Sequence, residues 1–306
     1  MIVAYIDAFR GRFGVEPICR VLTEHGMQIA PSTYYATVRA RVSVSDLADA
    51  YLANEVVTVF RANRSVYGVR KCWHELRRAG HEVGRDQVGR LMRIAGITGV
   101  VRGHHHTRTT HRDAAAPRHP DLIERAWDTP TRPDQWWVAD FTYVWTLAGF
   151  CYVALCTDVY SRRILGWRVT TAKTTPLVMS VLEQALSTRR RADSRFTATG
   201  VVHHSDAGSQ YTSIAFTDAL LEAGIAGSIG SVGDALDNAL MESTVGLYKT
   251  ELIDRHDRSF TGRTELERET ASWVHWYNAT RLHSSIGYLP PVEYEAAWRA
   301  GREHAA

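Results

Sequence analysis

The chain has 306 residues, of which 45% are hydrophobic and 23% charged, with a formal net charge of +3. At about 150 residues per domain this predicts two domains with room for a small third, and it excludes a mainly disordered chain. No apolar run reaches the ~18 residues of a membrane span, and the first residues lack the basic start of a signal peptide, so a soluble intracellular protein is expected. The four cysteines (Cys19, Cys72, Cys151, Cys156) are scattered and form no CxxC pair, which fits a reducing cytoplasm.

Charge is unevenly placed. Residues 1–127 carry 19 Lys+Arg against 12 Asp+Glu, and residues 128–306 carry 17 against 21. A basic first half and an acidic second half fit a nucleic-acid grip joined to a metal-binding catalytic unit. Only Lys71, Lys173 and Lys249 are lysines, so an arginine-rich codon bias accounts for part of the basic count.

In chain order, residues 1–40 read as a short helical unit. One helix begins at Glu16-Pro17 with Ile18, Val21 and Leu22 on one face and breaks at Gly26; another opens at Pro31 and carries Tyr34, Tyr35 and Val38. Residues 44–97 repeat the theme. Leu47, Tyr51, Leu52, Val56, Val59 and Phe60 keep helical spacing, and Tyr67-Gly68 is a turn. Arg70, Lys71, Trp73, Leu76 and Arg77 mix apolar and basic positions. Asp86 is expected to cap a further helix with Val88, Leu91, Met92 and Ile94 inward and Arg85, Arg90 and Arg93 outward. Basic residues on a helix after a tight turn suit phosphate contact and groove entry, although a solvated helix face explains any single arginine equally well. Residues 98–133, rich in Pro, Gly, Thr, His and Arg, read as a solvated linker. Within it the adjacent His104, His105 and His106 cannot all reach one tetrahedral ion.

From Trp136 the pattern becomes β. Trp136–Trp145 and Phe150–Val159 form a hairpin around Ala148-Gly149, and Arg163–Val169 makes a third strand. A helix over Thr175–Arg190, a short strand over Gly200–His203, a helix over Ser213–Ala223, a strand over Ile225–Ile229 and a long helix over Leu236–Ile253 follow. This order predicts an α/β domain with a mixed sheet.

Three acids lie where packing alone would not place them: Asp140 inside an apolar strand, Asp206 at a strand end and Glu242 on the long helix. A carboxylate in a strand core costs several kcal/mol unless it is paired or metal-bound. Converging carboxylates make an oxygen-rich site for Mg²⁺ or Mn²⁺, and two such ions ~3.5–4 Å apart serve phosphodiester chemistry. Taken singly, each acid has an ordinary explanation as a strand pair, turn or surface residue. Their order and spacing, with 35 residues between Asp206 and Glu242, do not.

The words around these acids are more specific. Trp137-x-x-Asp140-x-Thr142-Tyr143, Asp158-x-x-Ser161-Arg162-x-x-x-Gly166-Trp167, His203-His204-Ser205-Asp206-x-Gly208-Ser209-Gln210-Tyr211, Asp237-Asn238-Ala239-x-x-Glu242-Ser243, Leu247-x-Lys249-x-Glu251 and Tyr277-Asn278-x-x-Arg281-x-His283 stand in order. The chain resembles the second reading-frame product (OrfB) of the insertion-sequence-3 family of transposases, within the DDE integrase superfamily. The resemblance implies a ribonuclease-H-like catalytic core over 131–295, preceded by an N-terminal helical segment (1–45), a helix-turn-helix domain (46–105) and a linker (106–130), and followed by a tail (296–306). It implies that Asp140, Asp206 and Glu242 are catalytic and hold the metal. It also implies that water cuts a transposon end to free a 3′-OH, which then attacks another phosphodiester without a covalent protein–DNA intermediate.

Around that triad, His204 and Ser205 are candidates to orient Asp206 or its water, and the Gly208–Tyr211 loop with Gln210 to approach the DNA backbone. Asn238 is a candidate to bond a ligand or phosphate, and Lys249, Arg281 and His283 to line the cleft, with Arg70, Lys71, Arg85, Arg90 and Arg93 as the DNA grip. Fold maintenance explains several of these equally well. The expected partners are transposon-end and target DNA, the upstream-frame product or a fusion with it, and further copies of this chain on DNA, in a cytoplasmic, nucleoid-associated protein. A Ser/His/Asp hydrolase is disfavoured because neighbouring strand residues point to opposite faces and no GxSxG elbow is present. A glycosidase leaves the basic half unexplained. A related metal-dependent nuclease, and a DNA-binding regulator that needs the upstream frame for activity, both predict no joined product. No sustained heptad repeat supplies a coiled coil.

Overall fold

The computed structural model describes residues 2–39, 43–101, 119–123, 126–206, 208–230, 238–255 and 258–303. His104, His105 and His106 lie outside them. Helices α1 (Ile2–Phe13), α2 (Val15–Glu24) and α3 (Pro31–Arg39) close around Ile6, Val15, Ile18, Cys19, Leu22 and Tyr34. Pro17 stands in the first turn of α2, where a missing N–H costs little. The Tyr34 hydroxyl donates to Asp7 at 2.7 Å and accepts from Arg10 at 3.2 Å, which ties α3 to α1.

Helices α4 (Val44–Ala62), α5 (Val69–Arg78) and α6 (Arg85–Ile94) form the second unit. A reciprocal cap between Ser43 and Asp46 starts α4. The expected Asp86 cap is corrected: Gly84 occupies the N-cap without a side-chain bond, and Asp86 sits inside the first turn. Val56, Phe60, Cys72, Leu76, Val88, Leu91 and Met92 are buried between the three helices, whereas Ile94, expected inward, is the last residue of α6 and is exposed.

Five strands follow: β1 (Trp136–Thr146), β2 (Gly149–Asp158), β3 (Ile164–Thr170), β4 (Val202–Ser205) and β5 (Ala226–Ile229). Their order is β3-β2-β1-β4-β5, antiparallel through the hairpin strands and parallel from β1 to β5. This mixed sheet is ribonuclease-H-like, as expected. Helices α7 (Thr175–Ala192) and α8 (Ile214–Ala223) cover one face, over Trp137, Ala139, Ala154 and Cys156. Helices α9 (Ala239–Tyr248) and α10 (Arg263–Ala279) cover the other, over Val138, Val144, Val153 and Leu155. At Gly166 in β3 a Cβ would collide with the Val181 carbonyl of α7, so only glycine allows this helix-to-sheet approach.

The long helix predicted over Leu236–Ile253 divides into α9 and a π-helical turn over Lys249–Ile253. The short strand predicted over Gly200–His203 lies two residues later. Helices α1, α10 and α11 (Pro291–Glu303) lie outside the sequence expectations, and the expected tail boundary at 296 falls inside α11. Glu295 of that helix is buried and bonds Arg189 of α7 at 2.7 Å and Arg163 at 2.7 Å. Arg189 also reaches Asp134 at 2.6 Å and Asp158 at 3.2 Å, and Asp158 accepts from the Ser161 amide and hydroxyl. The Asp158–Ser161 word is therefore a structural knot that joins β2, α7 and α11.

The solvated-linker expectation also changes where residues are described. The Pro120 carbonyl accepts from the Ile229 amide at 3.4 Å, the Ser228 hydroxyl accepts from the Leu122 amide at 2.9 Å, and Ile123 is buried. That stretch is docked along β5. The helical unit is likewise packed on the core. Trp276 donates to Asn63 at 3.3 Å, the Leu282 amide donates to the Tyr67 hydroxyl at 2.7 Å, and the rings of His74 and Tyr288 stack at 3.6 Å. Arg78 bonds Glu293 at 2.8 Å, and one hydrophobic cluster runs from Val56 to Leu282. Among the described residues no helix is long and apolar enough to cross a membrane.

Candidate active site

The parallel register of β1 and β4 pairs Ala139 with Ser205. Asp140 is the next residue of β1 and Asp206 follows the last residue of β4, so the register brings the two acids to neighbouring strand positions, close enough for the charge of Asp206 to act on Asp140. Glu242 lies in the first turn of α9, the helix packed over that face. The side chain of Asn238, at the N-cap of α9, donates to the Ala139 carbonyl at 3.3 Å. It therefore ties the start of the helix to the strand one residue before Asp140.

Asp140 is half-buried and accepts from the Phe141 amide at 2.7 Å. Burial first, then the negative charges of Asp206 and to a lesser extent Glu242, push its carboxyl up to about 8; the Phe141 N–H and Lys173 oppose the shift. Asp206 and Glu242 are exposed. Among the described residues no three His, Cys, Asp or Glu side chains are gathered tightly enough to form a closed metal cage. The three acids are nonetheless an oxygen-only donor set with mutual repulsion at Asp140, and that chemistry fits a hard divalent cation.

Other expected site residues are distributed less simply. The Gly208–Tyr211 loop is at the site: Tyr211 stacks on Phe141 at 6.2 Å between ring centres, and the side-chain oxygen of Gln210 is buried without a partner. Lys249 lies over the Tyr143 ring at 5.0 Å. His204 and Ser205 are buried; His204 bonds the Ser228 hydroxyl at 2.9 Å and packs edge-on against Trp127, which ties it to β5. Asn238 is buried; its amide nitrogen bonds the strand, and its side-chain oxygen is buried without a partner.

Arg281 and His283 are both held by buried partners of their own. Arg281 is 4% exposed and pairs with Glu251 at 2.6 Å, and His283 is packed against Tyr277 with burial and Arg281 holding it neutral. In the helical unit, Arg70, Arg85, Arg90 and Arg93 are all exposed; Arg90 pairs with Asp49 of α4 at 2.7 Å and Arg85 with Asp86 at 3.3 Å. Lys71 is half-buried.

Lys173 was absent from the sequence expectations. It sits over the Phe141 ring at 4.3 Å and lowers the proton affinity of Asp140. The signal was its rarity: Lys173 and Lys249, two of only three lysines in the chain, stand on aromatic rings of β1.

The Integrase core domain is matched by two family models, over residues 130–235 and 223–291, and a model of an HTH-like domain matches residues 46–105. The chain is 48% identical over 280 residues to a putative transposase for insertion sequence element IS986/IS6110 of Mycobacterium tuberculosis, covering 92% of this chain and 99% of the relative. It is 45% identical over 300 residues to the transposase for IS629 of Shigella sonnei, covering 96% of each. Among solved structures, the HTLV-2 integrase catalytic core domain in complex with magnesium aligns with a TM-score of 0.40 and 16% identity over 54% of this chain and 98% of that one. Helix-turn-helix and integrase core in one chain define a DNA-recombining enzyme of the integrase class. The chain belongs to the insertion-sequence-3 family of DDE transposases, as an OrfB-type member.

Proposed function

We propose that Asp140, Asp206 and Glu242 are the catalytic acids of this transposase and hold divalent metal, Mg²⁺ or Mn²⁺ and two ions, for cleavage at the ends of an insertion sequence and transfer of the freed 3′-OH to target DNA. The observation that carries this reading is the gathering of three acids around Asp140: burial first, then the negative charges of Asp206 and Glu242, raise its carboxyl to about 8, and a dication relieves that cost. When bound, such ions lower the pKa of the attacking hydroxyl group and stabilise the leaving oxygen. The protein's part is placement. The β1–β4 register sets the two aspartates side by side, and Asn238 anchors the helix that bears Glu242 against the same strand. The Gly208–Tyr211 loop and Lys249 flank the acids and serve DNA contact, with Arg70, Lys71, Arg85 and Arg93 as the grip of the helical unit. Upstream-frame product and further copies of the chain complete the assembly on DNA, at the nucleoid in the cytoplasm.

The test is a cleavage and joining assay on labelled DNA that carries the element's ends, with Mg²⁺ or Mn²⁺. Asp140→Asn, Asp206→Asn and Glu242→Gln are each expected to lower cleavage and joining by at least a thousandfold while thermal melting and DNA binding stay near wild type. Wild-type activity in any one of them removes that acid from the site. A chain that joins DNA only when the upstream frame is fused to it is an incomplete enzyme; one that joins in neither form acts as a DNA-binding regulator.

A further inference from the structure

A second feature lies in the seam between the helical unit and the core. A cleft of about 500 Å³ opens there between the start of α5 and the end of α9 with the π-helical turn that follows it. Its lining brings together Arg70, Lys71 and Arg281 with the hydroxyl residues Thr250 and Ser284. Glu251 is the only acid among the described lining residues, and Arg281 already neutralises it through an ion pair at 2.6 Å. Arg70 and Lys71 therefore remain as positive charge in excess. Lys71 is half-buried with its ammonium 5.1 Å from the centre of the Tyr67 ring, so its chain is directed by packing.

We propose that this cleft is a seat for a phosphodiester of the DNA that is processed at the three carboxylates. The inference rests on the function proposed above, since it concerns the same DNA. The ligand class follows from the lining: an arginine and a lysine beyond the Glu251–Arg281 pair, with two hydroxyl donors, suit a singly charged oxyanion with several acceptor oxygens. The distance suits it too. Thr250 lies eight residues beyond Glu242 on a near-continuous helical path, about 12 Å at 1.5 Å per residue. That is between three and four steps of a strand at about 3.4 Å each. Burial and the neighbouring Arg281 pull Lys71 down to about 7; a phosphate in the cleft restores its charge. The helical unit is packed on the core through Tyr67, Asn63 and His74, so the seat keeps a set distance from the acids.

The experiment reads binding apart from chemistry. Binding of the full chain to a 30-base-pair duplex, with EDTA present, is followed by fluorescence anisotropy across a NaCl series. Arg70→Gln combined with Lys71→Met, which keeps the buried stem of the lysine, is expected to lower the slope of log Kd against log salt by about 1. Arg191→Gln, on the exposed end of α7, leaves the slope unchanged. In a second measurement Thr250→Cys is challenged with the same duplex bearing a thiol tether on one phosphate, against Glu222→Cys on α8 as control. The four native cysteines are buried, which keeps the background low. Cross-linking at Thr250→Cys at least tenfold above the control is expected. A wild-type salt slope in a double variant that melts like the wild type, or cross-linking no better than the control, overturns the seat. The reading of the triad fails separately: a chain that never cuts DNA yet keeps both signals refutes the cleavage reaction and leaves the seat standing.

Discussion

At the scale of single residues, the protonation of Asp140 governs what the acid cluster can bind. Its carboxyl titrates near 8 in the folded chain and near 3.9 unfolded. The folded state therefore binds more protons between those values, and without divalent metal its stability falls as pH rises from about 4 to about 8. Metal binding must expel the same proton. Apparent Mg²⁺ or Mn²⁺ affinity is thus expected to rise with pH by up to about tenfold per unit below 8 and then level off. Titration calorimetry in buffers of different ionisation enthalpy measures the released proton directly, and Asp140→Asn should abolish the release. A metal affinity independent of pH from 6 to 8 would show that Asp140 does not face the ion.

At the scale of elements, the sheet and its helices are held by charge as well as by apolar packing. Arg189 of α7 is 1% exposed and meets Asp134, Asp158 and Glu295. Three acids meet Arg189, Arg163 and, at 3.8 Å, Arg299, and burial with the negative charges of Glu295 and Asp134 raises Asp158 to about 6 even beside Arg189. Removal of Arg189 leaves buried carboxylates without a partner. Arg189→Met is expected to cost about 3–5 kcal/mol, read as a lower urea midpoint at an unchanged slope. A loss under 1 kcal/mol would mean that water already screens the knot. Chain pattern showed these helices and strands to different degrees. The hairpin, α7 and α8 stand out because β-branched runs and helical spacing are local. The signal for α10 was also local, with Leu266, Thr270, Trp273, Val274 and Tyr277 at helical spacing. It was hidden by a strongly charged first half. The strand β4 was displaced by two residues because its ends are set by pairing with β1 and β5, which no local run encodes.

At the scale of the whole molecule, the helical unit and the integrase core share one packed interior, from Val56 through Met92 to Trp273 and Leu282. The bond from Leu282 to Tyr67 and the stack of His74 on Tyr288 close the same seam. Scanning calorimetry is therefore expected to show residues 43–303 melting in one transition, with Tyr67→Phe lowering it by a few degrees, in keeping with about 1–2 kcal/mol for a buried amide left without its acceptor. Two resolved transitions, with only one moved by Tyr67→Phe, would separate the units.

The amino-acid order alone carried the family and the mixed sheet and pointed to the three acids proposed as catalytic, because short words with fixed spacing and strand or helix periodicity are properties of neighbouring residues. It did not carry the roles of the residues around them. Arg281 and His283 read as residues that line the cleft, and the sequence did not show that the first pairs with Glu251 and the second packs on Tyr277. Asn238 read as a ligand contact, and the sequence did not show that its side chain also ties α9 to β1. Lys173 lay unnoticed 33 residues from the acid it faces. Each of these assignments depends on which side chains meet across elements distant in the chain, and on how much water remains between them. Both are set by the packing of the completed fold.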